Sequence, residues 1–105
     1  MEKENINSGK KWLLGINSSK SPIEIGYFEE VKDIMHIHER VNEYYLVFSG
    51  NMTVGIEGKE YYFSAGDVIY IEPKEKHEVL RGSKDLRCFL IKWPHLPSDK
   101  KILRK

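Results

Sequence analysis

His36, His38, Glu43 and His77 are the residues of this chain whose types and spacing can do chemistry. Three imidazoles and a carboxylate suit a borderline divalent ion such as Mn²⁺, Fe²⁺, Ni²⁺ or Zn²⁺ better than Ca²⁺ or Mg²⁺, which prefer oxygen. The stretch Met35 to Gly50, MHIHERVNEYYLVFSG, carries the first three donors. Side chains alternate along a strand, so His36 and His38 project to one face. A short connection over Glu39 to Asn42 brings Glu43 back beside them. His77 is the candidate third imidazole, because a closed barrel carries the strand Asp67 to Ile71 and its successor round to face the first pair. A His-x-His pair taken alone is more often a solvent-facing couple than a ligand pair, so the rest of the pattern has to decide. His95, between Pro94 and Pro97, has no assigned role.

Donors spread over 42 positions need strands to gather them. Glycine and charged clusters cut the chain into short segments rich in Ile, Val, Tyr and Phe, without helical periodicity. Strands are expected at Trp12 to Ile16, Ile23 to Phe28, Asp33 to His38, Glu43 to Phe48, Met52 to Ile56, Lys59 to Phe63, Asp67 to Ile71, His77 to Leu80 and Leu86 to Trp93. This is the spacing of an all-β sandwich or barrel. Gly58-Lys59 marks a tight hairpin inside MTVGIEGKEYYF, and Ser49-Gly50-Asn51, Ser64 to Asp67 and Arg81 to Asp85 mark further turns. Residues 1–10 are expected to be disordered. The tail from Pro94 is expected to hug the surface or fray, with a weakly signalled helix from Ser98.

The bulk properties exclude several functions. A chain of 105 residues has room for one modest domain, expected over 1–105. The 17 basic residues nearly cancel the 16 acidic ones, so a net charge of +1 gives no general pull toward nucleic acid or membrane. Cys88 is the only cysteine, and MEKENINSGKK lacks the apolar core of a secretory signal, which together imply a cytoplasmic protein. No apolar run approaches the length of a bilayer span.

The same residues resemble the cupin superfamily. Its first motif, H-x-H, then three or four residues, E, six residues and G, is met by His36, His38, Glu43 and Gly50. Its second, of the form G-D-x-x-x-x-P-P-G-x-x-H, appears as GDVIYIEPKEKH, with Gly66, Asp67, Pro73 and His77 in place. Glu30 stands where a glycine often opens the first motif, Glu72 and Lys74 replace a proline and a glycine in the second, and Arg81 occupies a frequent asparagine position. The resemblance covers about residues 23–93 and leaves 1–10 and 94–105 as terminal extensions. It implies a double-stranded β-helix, or jelly-roll, barrel with a metal held by His36, His38, Glu43 and His77. The implied function is action on a small organic molecule, as a metal-dependent dioxygenase or isomerase. The alternative is a non-catalytic module that binds or senses a small ligand or sugar.

Three further residues are candidate substrate contacts. Arg81 shares a face with His77 and Val79 if the strand is regular, and its guanidinium can then hold a carboxylate or phosphate. At a strand end it points to solvent instead. Tyr45 and Tyr27 either line the pocket or fill the barrel. Cys88 alternates in phase with Leu86 and Leu90, as a packed thiol does. Glu43 to Phe48 is apolar on both faces, so its outer face needs a cover, either a second subunit, giving a homodimer, or the N-terminal segment KKWLLGI.

Overall fold

In the computed structural model of the protein, residues 11–14, 21–29, 36–94, 96 and 99–103 are described, with backbone alone at 11–14, 36, 100 and 101. The described residues form strands and no helix: β1 (Lys11–Leu14), β2 (Glu24–Phe28), β3 (His36–His38), β4 (Asn42–Ser49), β5 (Asn51–Ile56), β6 (Lys59–Ser64), β7 (Val68–Ile71), β8 (His77–Gly82), β9 (Arg87–Trp93) and β10 (Lys100–Ile102). They make two antiparallel five-stranded sheets, ordered β1-β2-β9-β4-β7 and β10-β3-β8-β5-β6. This is the expected double-stranded β-helix.

The core lies between the sheets and is filled by alternate residues. In β4, Glu43, Tyr45 and Val47 are buried, while Tyr44 and Phe48 are exposed. The β9 partner of Val47 is Cys88 and that of Tyr45 is Leu90, so these buried residues share the inner face. From the other sheet come Met52, Val54 and Val79. β6 is an edge strand exposed almost throughout, tied to the core by Phe63.

Turn geometry sets the registers. Glu57 and Gly58, with φ of 49° and 82°, are the central residues between the paired Ile56 and Lys59. The hairpin loop therefore sits one residue earlier than the expected Gly58-Lys59, and its doubly positive φ is the turn that matches strand twist. Gly66 has φ 99°, and Asp67 locks that turn by accepting a hydrogen bond from Ser64 N at 2.8 Å.

At the ends the structure differs from expectation. A helix from Ser98 gives way to β10, which pairs with β3, because a strand supplies ladder partners to an otherwise bare edge. Ser98 itself, His95, residues 1–10, Gly15, Ile16 and Asp33 to Met35 lie outside the described residues. Within KKWLLGI, Lys11–Leu14 pairs edge to edge with β2 and extends its sheet, so this backbone does not cross the outer face of β4.

Candidate metal centre

His38 ends β3, Glu43 is the second residue of β4 one short connection later, and His77 opens β8. The tail and the β7–β8 turn hold these strand ends. Asp99 accepts hydrogen bonds from the backbone N–H groups of Arg40 and Val41 at 2.9 and 3.0 Å, which fixes the link between His38 and Glu43. In the turn, Lys74 adopts φ 70° and its N–H donates to the His38 carbonyl. One residue further on, the Glu75 carbonyl lies 2.9 Å from His77 Nδ1.

That contact fixes a proton. A carbonyl can only accept, so His77 Nδ1 carries a hydrogen, and the ring presents a lone pair at Nε2 once it is neutral. Nε2 in turn lies 3.3 Å from Glu43 Oε2, which lies 2.9 Å from His38 Nε2. All three atoms are sealed from solvent, lie within 4.8 Å of one another and can hold a metal ion. The two rings stand 5.6 Å apart between centroids, tilted by 32°.

The donor set fits a transition metal. Donors about 2.1 Å from one ion lie about 3.0 Å apart at a right angle and about 3.4 Å apart at a tetrahedral angle, close to the 2.9 and 3.3 Å that separate Glu43 from the two imidazoles. A backbone carbonyl on the far nitrogen of a ligating histidine is also the usual way such a ring is aimed. Burial pushes the Glu43 carboxyl up, but the contacts with His38 and His77, with the charges of His77 and Lys92, outweigh it and hold it well below the ordinary carboxylate range. Glu43 is thus an anion inside the barrel.

The other expected site residues fall in different places. His36 occupies the ladder position opposite His77. Tyr45 is buried on the inner face two residues after Glu43 and meets Phe28 edge-on, at 6.0 Å between ring centroids. Tyr27 is fully buried on the face of β2 opposite to Phe28, where it pairs with Phe89 and packs against Phe48. There it lies under Arg87, whose Nε donates to its hydroxyl at 3.0 Å, and the hydroxyl donates to Glu29. Arg81 also departs from regular alternation. A bulge at Leu80 separates the pairs Val54–Val79 and Thr53–Arg81, and Arg81 stands exposed in an ion pair with Glu60 at 2.8 Å.

Two inner-face charges escaped the sequence reading. Glu24 and Glu43 flank Lys92 in register, as Glu24–Lys92–Glu43, and Lys92 Nζ lies 4.0 Å from Glu24 Oε1. Their signal was phase: Lys92 continues the alternation of Cys88 and Leu90, and Glu24 shares the phase of Phe28.

The chain belongs to the cupin domain family, whose model matches residues 29–92. Solved structures agree in fold. A variant of the Streptomyces protein PAC13, with uridine, is 16% identical, with a TM-score of 0.75 over 99% of this chain and 92% of that one. A cupin protein from Bacteroides fragilis is 20% identical, with a TM-score of 0.73 over 99% and 88%. KdgF from Halomonas sp. is 19% identical, with a TM-score of 0.65 over 82% and 78%. No curated protein sequence matches the chain significantly.

Proposed function

We propose that this protein is a metal-dependent cupin that acts on a small organic molecule at a centre made of His36, His38, Glu43 and His77. The observation that carries the reading is the convergence of two imidazole nitrogens and a carboxylate oxygen in one buried cluster, with the His77 proton held on the far nitrogen by Glu75. His36 enters as the fourth ligand on its spacing from His38 and its ladder position opposite His77. A divalent ion with four protein ligands keeps one or two open positions and supplies Lewis acidity for isomerase-type proton transfer or, as iron, the capacity for dioxygenation. The chain's own groups do the rest. Glu43 stays ionised, the two histidines present lone pairs, and Tyr45, Phe28 and Ile71 make an apolar floor that excludes bulk water.

Two wider features belong to the same proposal. A homodimer is supported by the apolar residues exposed on the outer face of the β4 sheet, where Val68, Tyr70 and Trp93 stand 63%, 47% and 55% exposed. Cytoplasmic residence is supported by the lone buried thiol of Cys88.

The test is turnover. Protein reloaded with Fe²⁺, Mn²⁺, Ni²⁺ or Zn²⁺ is assayed against oxygenase and sugar-isomerase substrates. A nucleoside is included because Pac13, a structural neighbour, is described as a nucleoside dehydratase. Metal-dependent product formation, abolished by chelator, is expected. Ligand binding without turnover by the loaded protein instead supports the binding or sensing module.

A further inference from the structure

The Glu24–Lys92–Glu43 row crosses the inner face of the β4 sheet at the level of the candidate metal centre. Glu24 is 2% exposed and the Lys92 side chain 19%, on a face that also carries the buried Tyr45, Val47, Phe28 and Leu90. Withdrawing an ammonium and a carboxylate from water is costly, and close hydrogen-bonded pairing is what usually offsets it. Here the pair is loose. At 4.0 Å, Lys92 Nζ is beyond hydrogen-bonding reach of Glu24 Oε1, so the attraction is Coulombic and the ammonium keeps its donors for another oxygen.

Charge gives the nature of that oxygen. An ammonium with donors to spare, beside a carboxylate that would hold a divalent ion, calls for an anionic oxygen; with one ammonium to meet, a single carboxylate suits it and a neutral molecule does not. Lys92 stands one strand from Glu43, about 4.8 Å across the ladder, a spacing that one small molecule can bridge.

We propose that Lys92 is a substrate-binding residue for a monocarboxylate, whose carboxylate takes the Lys92 ammonium while a neighbouring oxygen reaches an open position on the ion. Glu24 is its positioning residue and holds the ammonium on the inner face. This rests on the metal reading above and narrows its substrate to small carboxylic acids bearing an adjacent oxygen.

The experiment uses full-length protein loaded with Co²⁺, whose visible absorption reports changes in its ligands. Glycolate is the probe, with ethylene glycol as its neutral analogue and inorganic phosphate as the more highly charged one. Wild type is expected to bind one cobalt per chain and to respond to glycolate at least tenfold more tightly than to either analogue. Lys92→Met is expected to keep its cobalt and lose about tenfold or more in glycolate affinity, the size of one charge-assisted contact. Lys92→Arg, which keeps the charge and tests the site should Lys92→Met fail to fold, is expected to stay within about threefold of wild type. Glu24→Gln is expected to loosen Lys92 and weaken glycolate severalfold while cobalt stoichiometry stays constant, and unchanged glycolate affinity in this variant removes the positioning role of Glu24. Unchanged affinity in cobalt-loaded Lys92→Met, or equal responses to glycolate and ethylene glycol in wild type, overturns the carboxylate subsite and leaves the metal centre standing. Wild type without bound cobalt overturns both.

Discussion

Glu43 carries a negative charge in a space that water does not reach, and His38, His77 and Lys92 are what keep it charged. Its carboxyl titrates below the ordinary value of 4.5, so folding favours the ionised form. The associated stability is fully present above that value and is lost as the pH falls through it toward the lower native value. In chelator, the melting temperature of the wild type should therefore fall more steeply below pH 4.5 than that of Glu43→Gln, and parallel curves would contradict this. Cys88 shows the opposite effect: burial pushes its thiol up to about 12, with Glu43 adding to the rise and a backbone contact from Leu46 opposing it. The native thiol should resist a maleimide at neutral pH and react at once after denaturation. Labelling of the folded protein at the rate of a free thiol would show that the inner face is open at Cys88.

Strands and turns bring these residues together, and the turns can be tested separately. Gly50 has φ 71°, and an added Cβ would lie 2.8 Å from Leu86 N and 2.4 Å from Ser83 Oγ. Gly58 has φ 82° but open space around it. Gly58→Ala should cost only about 1 kcal/mol, the strain of the left-handed conformation. Gly50→Ala should cost about 2 kcal/mol more, because backbone must move to relieve the contact. Chemical denaturation of the two variants checks the difference, and equal losses would rule out the close approach. Of the fold, what depends on alternation and turn chemistry was legible in the sequence: Glu43, Tyr45 and Val47 on one face of β4, and the turns at Gly50 and Gly66. What depends on register between distant strands was not. A bulge at Leu80 turned Arg81 outward to Glu60, and the phase of β2 carried the buried Tyr27 to the face opposite Phe28 while bringing Glu24 in. The pairing of β10 with β3 likewise needed a bare sheet edge that no local pattern reveals.

At the scale of the whole molecule, the exposed apolar patch and the centre inside the barrel each give a prediction. Tyr44 and Tyr70 stack in that patch at 5.0 Å, beside Val68 and Trp93, and β1 extends the same sheet at its edge. Light scattering after gel filtration should give twice the chain mass of 12.3 kDa for the wild type and the single mass for Val68→Lys combined with Tyr70→Glu. A monomeric wild type would refute the dimer and leave the centre untouched, because His38, Glu43 and His77 all come from one chain. That centre is the core of the account, and bound metal measured by mass spectrometry on untagged protein tests it most directly. The wild type should carry about one equivalent of a divalent transition metal per chain, and His36→Ala with His38→Ala, like His77→Ala alone, should carry close to none. Equal metal in the wild type and in folded variants, or none in a wild type offered each ion in turn, would contradict it.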